Sequence, residues 1–372
     1  MGYNLKVKIA LVHDDFCQAG GAERLFEEIA KIYPDAPVYT SLVNWDKIPK
    51  SIDPKRVKTS FMQKIPFATK FYKLFLPLYP IAFESFDFSG FDVVVSSTTR
   101  FAKSIITTPN TKHVCYINSV PRFLYSQDQA DQYLSPLLRF ILRPYLNWLK
   151  KWDRISSARV DLYIANSKNV QKQIKHEYGR DSAVVYPAVD TDFFISNNQK
   201  SKNDNYYLAV SRLNKWKKID IAIKACQDLN QQLIIVGTGS DKTRLKGLTE
   251  KTDKIEFIST ADKEQLLKLY QNAKALIVTQ EEDFGIAMVE AQACGTPVIA
   301  FQRGGAVEII TNGKTGLFFK EQTENSLKDA ILRQSKLKWD IGACRDNAIK
   351  FSKAAFINNL KKTLDDYVNQ TH

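Results

Sequence analysis

Short apolar, β-branched runs alternate with helix-forming segments along this chain, and the alternation occurs twice. In the first half the apolar runs are VKIALVHDD (7–15), FDVVVSST (91–98), HVCYIN (113–118) and VDLYIANS (160–167). In the second they are YYLAVSRL, QQLIIVGTGS, KIEFIST, ALIVTQ and PVIAFQ. Runs of this kind, spaced by helical stretches, read as parallel strands buried on both faces, with the helices as crossovers. A polar stretch, SNNQKSKNDN (196–205), separates the two series and has the composition of an exposed connection. At 372 residues the chain is too long for one ordinary core. The expected order is a domain over 1–187, a linker over 188–205, a second domain over 206–352, and a C-terminal helix over 353–372 that packs back on the first domain. Ligands are expected in a cleft between the halves, at strand C-terminal ends.

A hydrophobic fraction of 44% and a charged fraction of 25% are those of a globular protein, and the net charge of +13 calls for an anionic partner. Nucleic acid, an anionic membrane face and a phosphorylated substrate all fit that charge. The five cysteines have neither CxxC spacing nor regular intervals, and the four histidines show no ligand spacing. Neither a disulfide framework nor a metal centre is expected, and a reducing cytoplasm is the simpler setting. No apolar run is long enough to span a bilayer, and LFLPLYPIAF (74–83) is short and holds two prolines.

The densest chemistry lies in EEDFGIAMVEAQACGTPVIA (281–300). A strand ending near Gln280 is followed by a turn at Gly285 and a helix predicted over 286–294 that stops at Gly295. Glu282 falls on the loop and Glu290 inside the helix. The free N–H groups of the first turn would form an anion site between two carboxylates, which suits a nucleotide sugar. Arg212 and Lys217 follow another strand closely and could offset charge on a diphosphate. A glycosidase acid/base pair fits less well, because the adjacent cations suit phosphate and would lower the carboxylate pKa values. VGTGS has two of the three glycines of a dinucleotide fingerprint, with Lys242 where the third would stand, so a nicotinamide site is poorly supported. DTD (190–192) has the form of a carboxylate metal motif but lies on the presumed connection between the halves and reads as structural. His13 reads as a core or rim histidine, and Asp14 and Asp15 as loop carboxylates at the cleft edge.

EEDFGIAMVEAQACGTPVIAFQRGGAVE resembles the E-x7-E region of the family 4 retaining glycosyltransferases, which have the GT-B fold of two Rossmann-like domains facing each other across a cleft. SRLNKWKKID is similar to their Arg-x4-Lys segment, and LIIVGTGSDKTRL to the strand and turn beside the nucleotide. HDDFCQAGGAERLFEEIAKIYPDAPVYT, WDRISSARVDLYIANSKNVQKQI and YGRDSAVVYPAVDTDFF resemble the bacterial polysaccharide and O-antigen mannosyltransferase branch. Lys217-Lys218 stands where members usually carry Lys-Gly, and Asn118 stands where relatives carry a histidine that contacts the donor sugar.

The resemblance implies catalytic roles for Arg212, Lys217 and Glu282, with Glu282 on sugar hydroxyls and Glu290 on the ribose diol. Asp283, Phe284, Gly285, Ile286 and Ala287 would line the diphosphate, with Gly237, Gly239 and Asn118 also on the donor. Gly20 and Gly21 would form a loop near the donor phosphate, and Glu23 would orient acceptor hydroxyls. The implied donor is GDP-mannose, with no cofactor and no metal. The implied acceptor is lipid-linked or a polysaccharide, at the inner face of the plasma membrane. A UDP-sugar, or a nucleotide-sugar epimerase without an acceptor, are the rival readings; no nucleic-acid motif is present.

LLRFILRPYLNWLKKW (137–152) places Leu138, Ile141, Leu142, Tyr145, Trp148, Leu149 and Trp152 on one helical stripe, with Arg139, Arg143 and Lys150 on another. The stretch 47–73 mixes lysines with Phe61, Phe67 and Phe71. Both suit an anionic membrane surface, or a buried helix face with a basic rim.

Overall fold

The computed structural model describes residues 7–126, 136–197, 206–250 and 252–370. Positions 198–205 of the expected linker, and the side chain of Leu138, lie outside the described residues. The chain divides into two compact units, residues 1–186 with 357–372, and residues 187–356. The C-terminal helix Lys353–Gln370 therefore starts in the second unit, and its residues from Ile357 onward group with the first.

The first unit is built on β1 (Ile9–His13), β2 (Val38–Thr40), β3 (Val57–Thr59), β4 (Val93–Thr98), β5 (Lys112–Ile117), β6 (Leu162–Ala165) and β7 (Ser182–Val184). They form one sheet in the order β3-β2-β1-β4-β5-β6-β7, and every pairing is parallel. The second unit carries β8 (Tyr206–Val210), β9 (Gln232–Val236), β10 (Ile255–Ile258), β11 (Ala275–Val278), β12 (Val298–Phe301) and β13 (Gly316–Phe319), in the order β10-β9-β8-β11-β12-β13, again all parallel. Both orders reverse direction once, between β1 and β4 and between β8 and β11. Those switch points leave a crevice beyond the strand C-termini, which is where open α/β sheets bind ligands.

Burial explains the strands. β4 is buried along its whole length, as are β11 and β12, so apolar runs without alternation are what the helices on both faces require. In the first unit Ala10, Val12 and Val94 pack with Phe83, Phe88 and Phe101. In the second Tyr207, Leu233, Ile277 and Ile299 pack with the helices Ile219–Asp228 and Glu324–Gln334.

Two buried polar clusters fix loops of the first unit. Asp14 and Asp15 are not rim carboxylates: both are buried. Asp14 accepts from the backbone N–H groups of Thr99, Arg100, Phe101 and Ala102 and from the hydroxyls of Thr98 and Thr99. It thereby organises the turn that follows β4. Burial alone would raise its pKa, but the charge of Arg100, His13 and those amides outweigh it and hold the carboxyl below its ordinary value. Asp15 is ion-paired with Arg100 and accepts from Tyr79 Oη at 3.2 Å. Next, the fully buried Lys103 ion-pairs with the fully buried Asp153, whose other oxygen accepts from Tyr125 and Tyr178, each at 2.9 Å. This satisfied pair pins the helix Arg143–Ser157 to the turn after β4; removing one partner would cost about 3–5 kcal/mol.

Candidate active site

In the second unit the switch point is occupied by the loops after β8 and β11. The helix Ile286–Ala293 begins at Gly285, whose φ of +104° is a left-handed conformation, and a Cβ there would lie 2.2 Å from the Met288 methyl. The left-handed backbone is what calls for glycine here, since the Met288 methyl at the end of a flexible side chain could move aside. The helix ends one residue short of the expected Cys294. Its first turn follows directly on the loop that carries Glu282.

Lys217, buried on a turn of 3-10 helix, makes an ion pair with Glu282 Oε1. The same oxygen accepts from Gln280 Nε2 at 2.5 Å. Thr279 Oγ1 donates to the carbonyl of Lys217 at 2.7 Å, which ties the two loops together. The Lys217 ammonium also lies 4.0 Å from the centre of the Trp216 ring. Arg212 is exposed at the start of this loop. Glu290 is buried and accepts from Tyr270 Oη at 2.9 Å. Both carboxylates are therefore held by dedicated donors. A carboxylate so held is an acceptor for hydroxyls, with an ammonium and helix N–H groups beside it for phosphate.

The structure also places the other expected residues of this unit. Phe284 is buried with its ring 5.5 Å from that of Phe351, and Asp283 is buried too. A Cβ on Gly237 or Gly239 would fall 1.9 Å from Ser211 O and 2.1 Å from Leu213 O; these glycines let the β9 loop lie against the 211–213 segment. Ile286 and Ala287 are half-buried in the first turn of the helix. Asp190 of the DTD stretch is paired with Lys263 and Lys353. Among the described residues no three His, Cys, Asp or Glu stand together as metal ligands.

In the first unit Gly20 precedes the helix Gly21–Ile32, and Glu23 sits buried in its first turn. Burial raises the Glu23 carboxyl above its ordinary value; His13 and Arg100 oppose this and Asp15 adds to it. His13 is a core residue, stacked on Phe26 at 4.7 Å with Nδ1 at 3.1 Å from Ser97 O. Asn118, just after β5, donates its amide to Ser97 Oγ at 3.0 Å.

Residues 190–351 match the family described as glycosyl transferases group 1, and residues 19–193 match glycosyltransferase family 4. The chain belongs to the family 4 glycosyltransferases. An uncharacterized glycosyltransferase of Methanocaldococcus jannaschii is 24% identical over 81% of this chain and 78% of its own length. The O-antigen chain mannosyltransferase RfbU of Salmonella typhimurium is 27% identical over 72% of this chain and 76% of its own. Among solved structures, Anabaena HepE in complex with UDP and glucose superposes with a TM-score of 0.69 at 20% identity, covering 96% of this chain and 99% of that one. Each unit of this glycosyltransferase is thus a Rossmann-like domain of the GT-B fold.

Lys218 stands where the family resemblance leads one to expect a glycine. Lys218 has φ +53°, a left-handed conformation in which glycine is unstrained. Sequence reasoning missed Gln280, Tyr270 and the pair Gly304-Gly305. The first two lie outside any motif spacing. Gly304-Gly305 was visible as a GG dipeptide: Gly305 N donates to Glu282 O at 2.8 Å, and a Cβ on Gly305 would lie 2.1 Å from Phe284 O.

Proposed function

We propose that this glycosyltransferase is a retaining enzyme that moves a hexose, mannose from GDP-mannose, to a lipid-linked or polysaccharide acceptor at the cytoplasmic membrane face. The observation that carries the donor half is the pair of restrained carboxylates flanking a helix N-terminus, Glu282 on Lys217 and Gln280, and Glu290 on Tyr270. In this reading Glu290 accepts from the ribose diol, and Glu282 from hydroxyls of the sugar. The N–H groups at the start of the helix Ile286–Ala293 meet the diphosphate, with Asp283 to Ala287 shaping the loop around it. Lys217 and Arg212 offset the charge that develops as the bond from C1 to the phosphate oxygen breaks. The acceptor oxygen attacks C1 from the same face, and its proton passes to the departing phosphate oxygen. Asn118 contributes an amide to the donor sugar, Gly20 and Gly21 form the phosphate-side loop, and Glu23 orients the acceptor. Lysine, arginine and helix N–H groups supply the countercharge, so the proposal requires no metal and no cofactor.

Mannose is favoured by the likeness to RfbU, which is named a mannosyltransferase. A UDP-sugar is the second reading, since HepE was crystallised with UDP, although that likeness is one of fold. The test is to incubate the protein with labelled GDP-mannose or UDP-glucose and bacterial lipid extract and to determine the product anomer by NMR. An α-linked product from an α-linked donor supports retention; a β-linked product overturns it.

A further inference from the structure

The segment 61–81 of the first unit has two sides. Inward, Met62, Ala68 and Tyr79 are buried, and Ile65, Tyr72 and Phe75 pack on the same core cluster. Outward, Phe61, Phe67, Phe71, Leu74 and Ile81 face solvent, with Phe67 73% and Leu74 72% exposed. Lys64, Lys70 and Lys73 are interleaved with them, and no acidic residue occurs between Asp53 and Glu84. The neighbouring helix Arg143–Ser157 divides likewise. Leu149 is buried and Tyr145 and Trp152 pack on the core cluster, while Trp148 is exposed, so the expected stripe is split between core and surface. Phe140 and Ile141 of the preceding helix are exposed as well. Trp152 Nε1 donates to Glu84 at 3.1 Å, which joins this helix to the end of the 61–84 stretch.

Phe67 is the decisive residue. Its φ is +59°, a conformation that a bulky side chain rarely takes and that glycine or asparagine adopts readily. Its carbonyl accepts from the backbone N–H groups of Lys70 and Phe71, each at 3.0 Å, so the turn is hydrogen-bonded as built. The chain thus keeps an aromatic ring in solvent at a place where the backbone would be relaxed by a small polar residue. Strain of this kind marks sites whose geometry serves something other than stability.

We infer that residues 61–81 form an apolar wedge, with Phe67 at its tip, that enters the headgroup and acyl boundary of an anionic bilayer while Lys64, Lys70 and Lys73 meet the lipid phosphates. Charge decides for this occupant: an exposed apolar row carrying only cations fits an anionic lipid surface, and a protein partner would need a matching acidic apolar face. The wedge is fastened to the end of β1. The Arg100 guanidinium lies 5.8 Å from the Tyr72 ring and 5.7 Å from the Tyr79 ring, and it pairs with Asp15. Inserting the wedge would therefore bring the β1 end of this unit, with Glu23, close to the lipid surface. The inference deepens the membrane-face part of the proposed function and is independent of the donor sugar.

The experiment is sedimentation of the full chain with phosphatidylcholine vesicles, with and without phosphatidylglycerol, beside thermal melts and light scattering of the free protein. Phe67→Asn is expected to melt no lower than wild type and to bind anionic vesicles at least about tenfold more weakly. Lys64→Gln, Lys70→Gln and Lys73→Gln together are expected to abolish the preference for phosphatidylglycerol. Wild-type protein that ignores both vesicles, or Phe67→Asn that binds them unchanged, overturns the wedge. A concentration-dependent dimer that Phe67→Asn dissolves, without vesicle binding, assigns the surface to self-association instead. Nucleotide binding measured on the same samples separates the two readings: vesicle binding without nucleotide binding removes the donor assignment and leaves the wedge standing.

Discussion

Tyr270 Oη donates to Glu290 Oε2 across 2.9 Å, and both side chains are buried in the second unit. The phenol comes from the helix Lys263–Asn272 and the carboxylate from the helix Ile286–Ala293, so the contact fixes one helix against the other. Thr296 Oγ1 holds the Tyr270 carbonyl at 2.5 Å from behind.

If that contact aims Glu290 at a ribose diol, Tyr270→Phe should weaken binding of the nucleoside diphosphate by about 5- to 10-fold, and Glu290→Ala should weaken it more. Isothermal titration checks this. Wild-type affinity in both variants would remove the ribose role.

If the Lys217 ammonium offsets charge on the leaving group, as proposed, Lys217→Ala should lower turnover by on the order of 10²-fold or more. Its neighbour should behave oppositely. Lys218→Gly relaxes a left-handed backbone and should change stability by no more than about 1 kcal/mol, with turnover retained. Steady-state kinetics and melts of the two variants together test whether charge at 217 and backbone at 218 are separate requirements.

The two sheets and most of their strands were legible because β1, β4, β8, β11 and β12 are buried on both faces and so read as unbroken apolar runs. β2, β3 and β13 were not. β2 and β3 have three residues each, too short to show a period, and β13 opens on Gly316, so only their parallel neighbours define them. Glu282, Glu290 and Lys217 were singled out by the resemblance of their segments more than by spacing, but the ion pair between Lys217 and Glu282 was not legible, since it joins residues of two loops brought together by the switch point. Asp14 and Asp15 were misread for a related reason: a carboxylate next to a strand end looks exposed until the turn after β4 wraps its N–H groups around it. The stripe over 137–152 was legible as amphipathic, and its division between core and surface had to come from packing.

Asp14 gives a pH prediction. Its folded pKa lies below 3.8, so it stabilises the fold above that value, and the contribution is lost as pH falls from about 3.8 through the folded pKa. Asp14→Asn should cost about 3 kcal/mol at neutral pH, since an amide cannot accept all those N–H groups, and should abolish this part of the acid transition. Chemical denaturation at several pH values measures both.

Glu23 should show the opposite sign. Its folded pKa is raised above 4.5, so the native state holds the proton more tightly and stability falls as pH rises from about 4.5 through the folded value. Glu23→Gln should flatten that slope and melt above wild type at neutral pH. If Glu23 orients the acceptor, the same variant should raise the acceptor KM and leave donor affinity alone.

The most direct test of the central claim is a thermal-shift panel with GDP, UDP, ADP, GDP-mannose, UDP-glucose and NAD, run on wild type and Glu290→Ala. Binding to the folded state raises the melting temperature by mass action. The account predicts a selective rise with GDP and GDP-mannose that Glu290→Ala diminishes. No rise with any nucleotide at concentrations well above the expected affinity would contradict it, and a rise with UDP and UDP-glucose alone would replace the donor.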